Sequence, residues 1–151
     1  MRKPVVYLDN CVFNRPYDDQ RRIDIRLEAE AKLFIQQEIK NEAIELVWSY
    51  ILEFENANNP FRLRKEAILH WKNIASRHIV QNERVLNQSE ELSRIGLKPA
   101  DALHVACAID AHADFFLTTD RGILKKMRDH PQIVVLNPIE FVMRLGEPND
   151  D

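Results

Sequence analysis

Several features are scarce in this sequence, and each scarcity excludes a class. Two cysteines, Cys11 and Cys107, make no disulfide framework, so the chain is expected in a reducing compartment with inert thiols. No apolar run is long enough to span a bilayer and no secretory leader opens the chain, which points to the cytoplasm. A net charge of −3 excludes the generally basic coat of a non-specific nucleic-acid binder. Any contact with a phosphate backbone must therefore be local. There is no internal repeat and no low-complexity tract. What remains is 151 residues, 45% apolar and 30% charged. That is material for one globular domain, expected over residues 1–145, followed by an acidic tail at 146–151 that is expected to be disordered.

The stretch Lys98–Leu124 organises the rest. From Ala100 to Ala113 it is small and apolar nearly all round, the composition of a helix buried against a sheet. Pro99 suits the first helical position, Asp101 falls in the first turn, and His104 lies one turn on along the same stripe. Phe115, Phe116 and Leu117 then read as a strand buried on both faces, ending in Thr118, Thr119 and Asp120. A second apolar run, Val5 to Leu8, ends in Asp9. Open α/β sheets bind ligands outside the carboxyl ends of their strands, so two strands ending in aspartate, if neighbours, aim two carboxylates at one crevice. Asp101 can add a third.

Between these landmarks, residues 10–22 read as a polar loop with Pro16 and Asp18–Asp19 turning it. Ile25, Leu27, Ala31, Leu33, Phe34, Ile35 and Ile39 mark the inner face of a crossover helix, with Glu28, Glu30, Lys32, Gln36 and Lys40 outside. Ile44 to Trp48 form a second strand, and Ser49 suits the N-cap of a short helix, YILEFENA. Longer helices are expected over Phe61–His78 and 83–95, with Ile79–Val80 too short to assign. After Asp120 come a helix to about His130, a strand at Ile133–Leu136, and a last helix opened by Pro138. The order is strand, helix, strand, four helices, strand, helix, strand, helix. It predicts a three-layer α/β/α sandwich on a parallel sheet of four to five strands.

VYLDN at the first strand end, SYILEFE after the second, ADALHVACA at the head of the buried helix and FLTTD at the later strand end together resemble the acidic motifs of the PIN-domain family. Within that family the chain is similar to VapC-type toxins, over roughly residues 4–143. The resemblance implies a Mg²⁺- or Mn²⁺-dependent endoribonuclease, the toxin of a toxin–antitoxin pair. It implies RNA as substrate, an antitoxin protein as partner, and a homodimer. Position by position, it assigns Asp9, Asp101 and Asp120 as catalytic metal ligands. The fourth acid is Glu53 or Glu55, which point to nearly opposite sides of one helix. Amphipathicity leaves that choice open, and the family's spacing of about six residues from the serine closing the second strand selects Glu55. Thr118 matches the threonine that orients a carboxylate. Asn10 stands where Thr or Ser commonly follows the first aspartate, and it can still donate a hydrogen bond.

The chemistry agrees with the residue types. Ionised carboxylates share a site only when cations neutralise them, because each raises the others' pKa. An all-oxygen donor set selects Mg²⁺ or Mn²⁺ over zinc, and no second His or Cys stands at zinc spacing around His104. Arg15, Arg62 and Arg121 flank the acidic motifs and are the candidates for holding an RNA backbone. Tyr50, Phe54, Phe61 and Trp71 supply apolar surface for the dimer. Taken singly, each acid also has an ordinary explanation. Asp101 suits a helix dipole, Asp9 and Asp120 suit loop starts, and the glutamates suit a solvated face. A haloacid-dehalogenase phosphatase is excluded because position 11 is Cys rather than Asp. A receiver domain is excluded because the late strand leads to Asn137–Pro138 with no lysine. The alternative left standing is a catalytically inactive PIN-fold binding or scaffold module.

Overall fold

The computed structural model describes residues 2–147. The tail expected to be disordered falls mostly outside them, at 148–151. The first strand, β1 (Val5–Leu8), is followed by α1 (Asn10–Asn14), a 3-10 turn (Arg15–Tyr17) and α2 (Ile23–Lys40). The chain continues through β2 (Glu45–Ser49), α3 (Tyr50–Ala57), α4 (Arg62–Ile74), β3 (Arg77–Ile79), α5 (Glu83–Arg94) and α6 (Pro99–Asp110). It closes with β4 (Phe115–Leu117), α7 (Arg121–Lys126), β5 (Val134–Leu136) and α8 (Pro138–Leu145).

The strands form one five-stranded, wholly parallel sheet in the order β3-β2-β1-β4-β5. The architecture is the α/β/α sandwich that the sequence predicts. β1 lies in the middle with all four side chains buried, each contributing about 1.5–3 kcal/mol of apolar burial. On one side of β1 the chain steps outward to β2 and β3, and on the other to β4 and β5. The sheet order therefore reverses between β1 and β4, and a crevice opens beyond their carboxyl ends. α6 packs against α5 and lies across β2 and β4, the close approach made possible by Ala102, Ala106 and Ala108, all fully buried. α2 packs against α8.

Four expectations are corrected. Residues 10–17 are not a plain loop: Asp9 caps α1, whose Val12 and Phe13 are fully buried, too few apolar positions to show a period. α4 stops at Ile74, short of His78, because 77–79 pair with β2 as an edge strand. α7 ends at Lys126 rather than near His130.

The largest correction concerns α2. Glu28 and Lys32, read as solvated, are 8% and 4% exposed, while Leu33 and Phe34, read as core, are 51% and 47% exposed. Both charged side chains have partners inside. Glu28 meets the Arg15 Nε at 3.0 Å and accepts from Asn137 at 2.6 Å. Lys32 donates to Gln36 at 2.7 Å and lies over the rings of Phe13 and Trp71. Trp71 is thus core, not dimer surface.

Candidate active site

The site grows from the ends of β1 and β4. The Asp9 amide donates to the Leu117 carbonyl at 2.9 Å, so the ladder continues one residue past β1 and leaves the Asp9 side chain at the crevice. That carboxylate is buried and held by three neighbours. Oδ1 accepts from the Asn10 amide at 2.8 Å, and Oδ2 accepts from the Thr118 hydroxyl at 2.8 Å and the Cys11 thiol at 3.4 Å. Thr118 is itself wholly buried, and its Oγ1 accepts from the Asp120 amide at 3.0 Å. One threonine thereby ties the two strand-end acids together. Asp120 caps α7, with Oδ1 accepting from the Ile123 amide at 3.1 Å.

Asp101 stands in the first turn of α6. Burial, and then the charges of Asp9 and Asp120, hold its carboxyl above the usual aspartate range against the opposing pull of His104 and Lys98. Three acids distant in sequence thus share one electrostatic neighbourhood.

The two glutamates of α3 part company. Glu53 is half-exposed and ion-paired with Lys72 at 2.6 Å, which lowers its pKa. Glu55 turns inward, with Oε1 2.6 Å from His104 Nε2. The same nitrogen lies 4.0 Å from Asp9 Oδ1. Asn10 reaches Asp9 through its backbone, while its side-chain oxygen accepts from Asn14 at 3.2 Å.

Sequence reasoning overlooked what stands behind Glu55. His104 Nδ1 is 2.6 Å from the Tyr7 hydroxyl, which is 2.6 Å from Ser49 Oγ. Burial first of all keeps the Tyr7 hydroxyl protonated, well above its ordinary pKa. Burial would lower the pKa of His104, but the hydrogen bond to Glu55 and the charges of Asp9, Glu55 and Asp101 raise it above the usual histidine range. The signal for this chain was a polar side chain on each of two elements that are otherwise apolar. Cys11 and Cys107 are pushed up to about 12 by burial and stay as thiols.

The candidate RNA contacts differ in availability. Arg15 is mostly buried between Asp18 and Glu28. Arg62 is exposed and bonded to Glu66, one turn along α4. Arg121 is exposed directly after Asp120 and, with Arg15, Arg22, Thr119, Asp24 and Glu28, lines a cavity of about 660 Å³ beside the acids.

The donors of this crevice are carboxylate oxygens, and that chemistry fits a hard divalent cation. Among the described residues no three His, Cys, Asp or Glu groups already stand together as a metal would require. Glu55 Oε1 is engaged by His104, and Asp120 Oδ1 by the Ile123 amide.

A parallel α/β sheet whose order reverses between two strands ending in aspartate sets those acids where such sheets bind ligands. The match is specific: a family model of the PIN domain covers residues 6–129, and the chain belongs to the PIN-domain family. PIN domains are generally nucleases that use divalent metals. Among solved structures, a chain of the VapBC2 complex of Rickettsia felis, bound to a DNA fragment from their promoter, has the same fold. It aligns with a TM-score of 0.53 at 14% identity, covering 88% of this chain and 98% of that one. No curated protein sequence matches significantly.

Proposed function

We propose that this protein is a Mg²⁺- or Mn²⁺-dependent endoribonuclease and the toxin half of a toxin–antitoxin pair. The observation that carries the reading is the placing of Asp101, at the head of α6, in one neighbourhood with Asp9 and Asp120, where burial first and then the charges of those two acids disfavour its anion. Acids so arranged await a cation. Asp9, Asp101, Asp120 and Glu55 would hold it. When bound, the cation supplies charge to the scissile phosphate and acidifies a water for in-line attack. The chain's own residues prepare that geometry. Thr118 fixes Asp9 against Asp120, and the buried ends of β1 and β4 keep bulk water from one side. Arg121 offers its charge to the RNA backbone beside the acids.

An antitoxin that lays a helix along the crevice and places an Arg or Lys among the carboxylates would displace the metal. The Rickettsia felis complex supports such a partner. The proposed setting is the cytoplasm. Among the described residues no helix is long and apolar enough to cross a membrane.

The test is purified protein with Mn²⁺ and a mixed RNA pool, with and without EDTA. Internal cleavage abolished by EDTA is expected. The competing reading is a catalytically inactive PIN module. No cleavage at any protein concentration, with or without EDTA, would establish that reading instead.

A further inference from the structure

His104 is out of character on its helix, whose buried residues are otherwise Ala102, Val105, Ala106, Cys107 and Ala108. A buried imidazole needs partners for both nitrogens, and this one has them. The links form a closed circuit. The Leu52 amide donates to Ser49 Oγ at 3.2 Å, Ser49 meets Tyr7, Tyr7 meets Nδ1, and Nε2 meets Glu55. Both ends of the circuit lie on α3: the N-cap at Ser49 and the inward acid at Glu55. Its middle lies on β1 and α6, so one buried chain joins three elements.

A glutamate with a partly open side chain would otherwise sample several rotamers. The His104 ring cannot release it freely. The ring packs edge-on to Tyr7, with centroids 5.8 Å apart and planes at 72°, and turning it breaks both hydrogen bonds. Nε2 keeps its hydrogen toward Glu55 in either state of the ring. When the ring is neutral, Tyr7 donates to Nδ1 and the proton sits on Nε2. When it is charged, both nitrogens donate and Tyr7 passes its hydrogen to Ser49. The same nitrogen lies 4.0 Å from Asp9 Oδ1, beyond hydrogen-bond distance, so its direct hold is on Glu55.

We propose that His104 is a positioning residue, held by Tyr7 and Ser49, that fixes Glu55 through Oε1 and leaves the other carboxylate oxygen for the cation. The inference rests on the reading of Glu55 as a cation ligand and deepens it. Groups that orient a ligand carboxylate in this way commonly carry about 10–100-fold in metal affinity.

The experiment is calorimetric titration of the full chain with Mn²⁺ alone, with no RNA present. His104→Gln can set an amide N–H near the place of Nε2, whereas His104→Asn, one methylene shorter, keeps only the reach of Nδ1. His104→Asn is expected to weaken Mn²⁺ binding about tenfold or more, and His104→Gln to stay within about threefold. In a Glu55→Gln background the His104→Asn change is expected to add nothing. Tyr7→Phe removes one hydroxyl and keeps the ring, so it carries the test if the His104 variants do not fold; a several-fold weakening is expected. Equal behaviour of Asn and Gln, an undiminished effect without Glu55, or wild-type affinity in a sole surviving Tyr7→Phe overturns the inference. Those results would leave the nuclease reading intact if the wild type binds Mn²⁺. A wild type that binds none overturns both.

Discussion

At the scale of single residues, charge burial decides most of what can be measured. The folded state raises the pKa of Asp101, so it binds a proton more readily than the unfolded chain does, and its contribution to stability falls as pH rises through its titration. Asp101→Asn is therefore expected to raise the melting temperature of metal-free protein at neutral pH while abolishing cleavage. An unchanged or lower melting temperature would show that neither burial nor the neighbouring acids disfavour the Asp101 anion. Glu55→Gln is expected to reduce cleavage at least about tenfold, roughly 1.4 kcal/mol of transition-state stabilisation, while Glu53→Gln changes it little. The reverse pattern over a Mn²⁺ titration would move the fourth ligand to Glu53. Lys32 obeys the opposite sign. Burial pushes its pKa down to about 8, so between about 8 and the ordinary 10.5 the unfolded chain holds the extra proton and stability rises with pH. At about 1.4 kcal/mol per factor of ten in protonation, keeping the cation inside at pH 7 costs roughly 3 kcal/mol. Lys32→Met is expected to stabilise the protein by about 1–3 kcal/mol at pH 7, and its advantage is expected to shrink by pH 10. Urea denaturation of both proteins at the two pH values checks this, and a constant difference would rule out Lys32 as the titrating group.

At the scale of elements, α2 shows how a helix can be read correctly in extent and wrongly in orientation. Its hydrophobic residues spread round too much of the circumference to define one face, and the pull of Arg15 and Asn137 on Glu28 turns a charged side inward. Leu33→Lys is therefore expected to change stability by no more than about 0.5 kcal/mol, whereas Ile35→Ala, at a wholly buried position, is expected to cost about 2–5 kcal/mol. Equal losses at the two positions, measured by chemical denaturation, would return α2 to the orientation suggested by the hydrophobic pattern. α6 begins where Pro99 marks its first turn, a signal carried locally in the sequence.

At the scale of the whole molecule, apolar surface remains beyond what one domain must bury. Phe54, Phe61 and Leu63 are exposed together around the α3–α4 junction, Leu63 by 82%. We expect a homodimer in solution through this face, and light scattering at micromolar concentration checks it. A strict monomer would leave the patch for the antitoxin alone. Phe54→Ser with Leu63→Ser is expected to dissociate the dimer without lowering the stability of the protomer.

The sequence alone determined the acids that end β1 and β4, the small apolar helix that brings Asp101 to them, and the sandwich that follows from the order of elements. Each is written in neighbouring residues, because a buried parallel strand and a buried helix need continuous apolar runs, whatever lies elsewhere in the chain. Amphipathicity alone left open which glutamate of α3 turns inward, and only the tertiary structure decided which side of α2 is core and that Tyr7 and Ser49 stand behind His104. These depend on pairs such as Tyr7 with His104, residues far apart in the chain and brought together by the sheet order. A buried polar side chain takes whatever partner the fold supplies, and nothing in its immediate neighbours says which that is.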